Sequence, residues 1–338
     1  MRIISVFKVF DFGILLLLLS GGEGKVYIVV FYENVMTVIN MLSFGESGVA
    51  VADEQSSTEL RKYNIAQKLR PIGKSIVYGG SGPSDLLTEI YDFSIKGLGE
   101  NQDKDLRSVY EYITNIALSR RDRLLDTMLK AEFSGLGMED IQSGVSSITG
   151  KPLDQEYKSR LHNGSEGIKK NLSFGILLGG IEDGRFNVYG INAYGSGLKS
   201  SRGLGTDGSG SDESDKVISS YKTSIPREET DNIDPEEGLI KVIEATNSSV
   251  KINNGVGGTI SIAHISDEGI KMPSEDNCRL ASEIVSAYIE GFIDQNTVKG
   301  LLRQIVPNEG EFKKIESEFR ESVPNWNELD RFFRGYKH

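Results

Sequence analysis

From Thr37 onward the apolar positions fall into short alternating runs and longer runs of helical period, and the switches between them are punctuated by glycine and proline. TVINMLS (37–43) and GVAVAD (48–53) are rich in β-branched residues and flank a polar FGES turn, which predicts a hairpin. KLRPI (68–72) and KSIVYGG (74–80), separated by Gly73, predict a third and a fourth strand. The segment PSDLLTEIYDFSIKGL (83–98) opens on Pro83 and spaces its apolar residues by three and four, as a helix does. Residues 104–171 keep a helical period with a high charge content and break at SGLGMED and TGKPLD, so solvated helices are expected there. SFGILLGG (173–180), the turn EDG, and FNVYGINA (186–193) form a second hairpin pattern.

Gly195 to Ser211 is Gly/Ser-rich and reads as a connection leading into SDESDKVISSYKTS (211–224). PEEGLIKVIEATNSSVKI (235–252) is an amphipathic helix with acidic residues in its first turn, where the helix dipole favours them. GTISIAHIS (258–266) and GIKM (269–272) predict two further strands. The order strands, helices, strands, helices, strands implies an α+β layered domain, with two helices on one sheet face and the inserted helices on another. The tail, 276–338, reads as more helices ending in an aromatic patch of Trp326, Phe332, Phe333 and Tyr336 that docks onto the body.

Composition narrows the chemistry. The 338 residues carry a formal charge of -11, which argues against nucleic acid or an anionic membrane as the main partner. One cysteine, Cys278, excludes an internal disulfide framework and a multi-cysteine zinc site, and fits a reducing compartment. His162, His264 and His338 lack ligand spacing, so a Ser/His/Asp triad or an HExxH site has little to build on. No apolar run approaches the roughly 20 residues that span a bilayer. The longest, Ile14 to Leu19, lies in an opening stretch of 36 residues for which three readings stand: a secretion signal, a pro-segment, or translation upstream of a true start at Met36.

Gly203 to Gly208 matches the GxGxxG string of dinucleotide binders, but no strand is predicted directly before it and no βαβ unit after it. It reads instead as a glycine-rich connection that lets backbones approach closely.

A different constellation carries chemistry. Thr37 starts a strand, Asp53 ends the next, and Lys68 starts the third, so adjacent strands bring the three ends together. If Thr37 became the first residue, its hydroxyl and its α-amine, of intrinsic pKa about 7.7–8.0, would supply nucleophile and base without any histidine. Lys68 would hold that amine neutral by like-charge repulsion, and Asp53 would pair with Lys68 and orient it. Threonine, aspartate and lysine are common, and the same spacing also describes an ordinary strand threonine beside a surface ion pair.

These residues resemble the proteasome-type branch of the N-terminal nucleophile hydrolases, in particular its β subunits. The motifs are Thr37 on the first strand, GVAVADEQSS (48–57), Lys68 in QKLRPI, VYGGSG (77–82), the hairpin SFGILLGGIEDGRFNVYGINAYGSG, and GTDGSGSD (205–212). Together they run from 37 to about 272. The resemblance implies a four-layer αββα sandwich over 37–275 with a helical insert at 104–171 and a helical extension at 276–338. It implies a cytoplasmic threonine peptidase with no cofactor and no metal, acting on polypeptides in a homo- or hetero-oligomeric ring, with an ATPase unfoldase as a partner and neither nucleic acid nor membrane.

Residue by residue, Thr37 corresponds to the catalytic threonine, Asp53 and Lys68 to its charge pair, and Ser209, between Gly208 and Gly210, to the serine that contacts the threonine amine. Gly79 matches the position whose N–H faces the developing oxyanion. Ser56, Ala66 and Val77 match the pocket for the residue before the cut, where their small or apolar character suggests an apolar preference. The resemblance makes Met36 the residue removed to expose Thr37.

The chain also departs from the family. Asn253 stands where an aspartate is expected, Val256 where a serine is expected, and Gln55 where catalytic β subunits carry arginine. Asn253 retains hydrogen-bonding capacity without the charge. Two alternatives follow: a non-catalytic structural or regulatory subunit, motivated by Asn253 and Val256, and a narrow-substrate amidase or transpeptidase, motivated by the insert.

Overall fold

The computed structural model describes residues 2–9, 14–20, 26–32, 37–57, 62–63, 67–99, 105–195, 197–200, 203–226, 233–252 and 256–334; for 2–32, 56–57, 62–63 and 198 the description is of backbone alone. Before Thr37, β1 (Arg2–Val9), β2 (Ile14–Ser20) and β3 (Val26–Tyr32) form an antiparallel meander.

The body is mixed α+β with two five-stranded antiparallel sheets. The first is built from β4 (Ile39–Ser43), β5 (Gly48–Asp53), β13 (Leu204–Asp207), β14 (Ile260–Ser266) and β15 (Gly269–Lys271), in the order β13-β4-β5-β14-β15. The second is built from β8 (Leu69–Ile72), β9 (Ile76–Ser81), β10 (Gly175–Glu182), β11 (Arg185–Asn192) and β12 (Gly197–Lys199), in the order β12-β11-β10-β9-β8. A two-stranded pair, β6 (Ser56–Ser57) with β7 (Lys62–Tyr63), stands beside them.

Ten helices accompany the sheets among the described residues. They are α1 (Ser84–Leu98), α2 (Leu106–Glu132), α3 (Met138–Ser143), α4 (Gln155–Asn171), α5 (Ser211–Ser224), α6 (Pro235–Ile252), α7 (Glu275–Ile289), α8 (Gln295–Ile305), α9 (Phe312–Ser322) and α10 (Trp326–Phe333). The expected breaks are present: α2 ends at Glu132 and α3 begins at Met138 across SGLGMED, and α4 begins at Gln155 after TGKPLD, with the Asp154 carboxylate capping its first turn through the Tyr157 N–H.

Three buried clusters organise these elements. Ile39, Met41, Ala50 and Ala52 of the first sheet meet Leu69, Val77, Leu177, Phe186 and Val188 of the second. The outer face of the second sheet, with Ile76, Tyr78, Ile176 and Leu178, packs on Leu86 and Ile90 of α1, Ile113 and Leu129 of α2, and Ile168 of α4. The outer face of the first sheet, with Leu42, Val49, Val51 and Ile262, packs on α5 and α6 and on the tail, through Ile284 of α7, Leu302 of α8, Phe319 of α9 and Leu329 of α10. The tail therefore shares one core with the first sheet. Trp326 meets Phe319 edge-on at 5.5 Å and Phe333 packs on the same core, whereas Phe332 is partly exposed and Tyr336 lies outside the described residues.

One expectation fails. The Gly/Ser-rich stretch 195–211 is not only a connection: it contains β12, which pairs with β11, and β13, which pairs with β4 in the register Leu204↔Leu42 to Asp207↔Ile39. The glycines permit close packing that hides the strands from compositional reading. A Cβ at Gly205 would press on Val188 and Leu177 of the opposite sheet.

Candidate functional site

Thr37 leads into β4 and is fully buried. Because β4 lies between β13 and β5, its first residues meet both the turn after Asp207 and the end of β5. On the β5 side, the Asp53 carboxylate accepts the Val38 N–H at 2.8 Å and the Lys68 ammonium at 2.8 Å through Oδ1, and the Gly257 N–H at 3.1 Å through Oδ2. Both oxygens are engaged. Asp53 is inaccessible and Lys68 nearly so.

Burial pushes the Asp53 carboxyl up, against the opposing pull of Lys68 and the two N–H donors. It pushes the Lys68 ammonium down, against the pull of Asp53. Each charge is thus held in the interior by the other. The Gly257 N–H was invisible in the residue pattern, because a backbone donor carries no side-chain signature.

On the β13 side, the Ser209 hydroxyl accepts the Thr37 N–H at 3.2 Å and donates to the Thr37 carbonyl at 3.4 Å, while the Gly210 N–H donates to that carbonyl at 3.1 Å. Gly208 sits at φ 96°, and a Cβ there would strike the Thr37 carbonyl, so only glycine brings this turn so close. Ser249 of α6 donates to the Gly210 carbonyl at 2.7 Å and meets Ser214 of α5 at 2.8 Å; Ser214 and Thr246 in turn accept the side-chain amide of Asn40 on β4. This buried network ties the turn to both helices, and of its members only Gly210 was singled out from the sequence. The Thr37 hydroxyl, held on both sides through its backbone, is itself buried with no hydrogen-bond partner among the described residues. A buried hydroxyl left unpaired costs about 1–3 kcal/mol.

The remaining candidates are less uniform. Gly79 lies mid-β9, paired with Leu69 and Leu177, and a Cβ on it would press on Ile39, two residues into the chain from Thr37. Val77 is sealed in the inter-sheet core. Val256 is buried with one methyl, Cγ2, beside Gly210, so an apolar group occupies the place the resemblance gives to a serine. Gln55 is buried, and its backbone N–H bonds to the Gly257 carbonyl at 3.0 Å. Asn253 and Ala66 lie outside the described residues, as does the side chain of Ser56.

Among the described residues no group of three or more histidine, cysteine, aspartate or glutamate side chains is placed to hold a metal ion. Cys278 is buried, and that burial raises its thiol to about 12, which makes it inert at neutral pH. No helix among the described residues is long and apolar enough to cross a membrane. No protein-family model matches the chain, and no curated protein matches it significantly.

Proposed function

We propose that the chain is a threonine peptidase of the proteasome type, an N-terminal nucleophile hydrolase with the four-layer αββα sandwich of that class, in which Thr37 becomes the first residue. One observation carries this reading: the backbone of Thr37 and Val38 is held from both sides, by Ser209 at the Thr37 N–H and by the buried Asp53–Lys68 pair at the Val38 N–H. An ordinary strand threonine needs neither.

In the free-amine form the chemistry runs without histidine. The α-amine takes the proton of the Thr37 hydroxyl as Oγ1 bonds to the carbonyl carbon of a peptide, with Lys68 keeping the resting amine unprotonated. The carbonyl π pair moves to oxygen, and the Gly79 N–H is the donor assigned to that oxyanion. Collapse of the intermediate breaks the C–N bond, the amine returns its proton to the departing nitrogen, and water hydrolyses the Thr37 ester. Polypeptides are the substrate, and an oligomeric ring fed by an ATPase is the assembly that such an activity would use.

The test is intact mass of the purified chain before and after an N-terminal-threonine-directed epoxyketone or β-lactone. A mass beginning at Thr37 with one adduct, absent in Thr37→Ala, is the expected result. The Val256 methyl beside Gly210 favours a second reading, a non-catalytic subunit on the same fold. A retained N-terminus with no adduct would establish that reading in place of the first.

A further inference from the structure

Beside Thr37 stands a second carboxylate that forms no ion pair among the described residues. Asp207 ends β13 opposite Ile39, and directly paired residues project to the same face of a sheet. Ile39 points into the space between the sheets, and Thr37, two residues earlier, shares its face. Thr37 and Asp207 are thus diagonal neighbours, a relation that spans about 7–8 Å on an antiparallel sheet.

The opposite sheet is shaped around this carboxylate. Ser81, the last residue of β9, donates its hydroxyl to Asp207 Oδ2 at 2.7 Å. Gly175, the first residue of β10 and the partner of Ser81, leaves room for it, since a Cβ on Gly175 would sit on the carboxylate. The Gly208 N–H is the other donor. Among the described residues Asp207 forms no ion pair, and burial pushes its carboxyl up against those two donors. A carboxylate offers about four lone-pair sites, so two donors leave capacity for more. Asp207 is half-buried, not sealed as Asp53 is.

We propose that Asp207 forms the acidic wall of a substrate subsite beside Thr37 and selects a lysine or arginine side chain next to the bond that is cut. The inference rests on Thr37 being the nucleophile. A cationic side chain supplies the charge partner that none of the described residues gives Asp207. Val77, matched to the pocket before the cut, is buried within the inter-sheet core.

The experiment measures labelling of Thr37 in the full chain, purified with its N-terminus defined by mass, using two peptidyl epoxyketones that differ only in arginine against leucine at the position before the warhead. Wild type is expected to favour the arginyl probe about tenfold or more, and Asp207→Asn to bring the ratio close to one. Agmatine, a small guanidinium amine, is expected to slow arginyl labelling in wild type, a readout that needs no variant to fold. A leucyl preference in wild type, an arginyl preference that survives Asp207→Asn, or failure of agmatine to compete overturns the inference while leaving Thr37 as nucleophile. Absence of any Thr37 adduct with either probe overturns the peptidase reading, and this inference with it.

Discussion

Two aspartates flank Thr37, one sealed and one half-buried, and they are treated differently. Asp53 has a lysine ammonium and two backbone N–H groups and is closed to solvent. Asp207 has a serine hydroxyl and one N–H, no cation among the described residues, and partial access. A buried charge with its counter-charge in place is fixed equipment. One without a partner is either a penalty or an invitation to a ligand, and the glycine opposite Asp207 shows a site shaped to keep it.

The comparison breaks most severely at the lysine. Lys68→Met leaves the Asp53 charge uncompensated and is expected to cost about 3–5 kcal/mol in denaturant unfolding. The double change Asp53→Asn with Lys68→Met should recover most of that stability, yet show no labelling of Thr37. Equal stability of the single and double variants would mean that the pair is not the coupled unit described.

Next in size are the two glycines that admit neighbours. Gly208→Ala places a side chain at φ 96° against the Thr37 carbonyl, and a loss of about 1–3 kcal/mol is expected, with slowed Thr37 labelling. Gly175→Ala drives a methyl into the Asp207 carboxylate, at about 1–3 kcal/mol, and lowers the arginyl-to-leucyl labelling ratio. A thermal melt and the same pair of probes check both.

The smallest effect is the most diagnostic. Asp207 has a folded-state pKa raised by burial, so between its unfolded and folded values the native chain binds more protons, and stability is lost as pH rises through that window. Asp207→Asn removes this penalty. Its melting temperature at pH 7 should equal or exceed that of wild type, with the difference shrinking as the pH is lowered. A variant less stable than wild type at pH 7 would show that the carboxylate is compensated after all.

Much of the scaffold was legible in the residue pattern, for physical reasons. GVAVAD is both β-branched and bounded by turn residues, and β5 spans the same six positions. The EDG turn sets the β10–β11 register, Glu182↔Arg185 onward. The tail helices announced themselves by period. What stayed hidden depends on tertiary contact: β13 has the composition of a loop and becomes a strand because β4 offers an edge and Gly205 fits under Val188. Asp207 lies in the same glycine-serine string, and no role of its own was assigned to it before the β13–β4 pairing set it opposite Ile39. Thr37, Asp53 and Lys68 were found because their spacing placed three strand ends together. Ser249, Ser214 and the Gly257 N–H were not, because helix serines and backbone donors are indistinguishable from their neighbours before the chain folds.

The sheet order has a consequence in time. β4 emerges early from the ribosome, yet its two partners in the sheet are β5, close behind it, and β13, more than 150 residues later; β5 in turn waits for β14 at Ile260–Ser266, and the core beneath them is completed by Leu329. At about 5–20 residues per second, the threonine strand spends much of translation without the turn that grips it. The grip of Ser209 and Gly210 on the Thr37 backbone can therefore close only after the whole chain between them has been made.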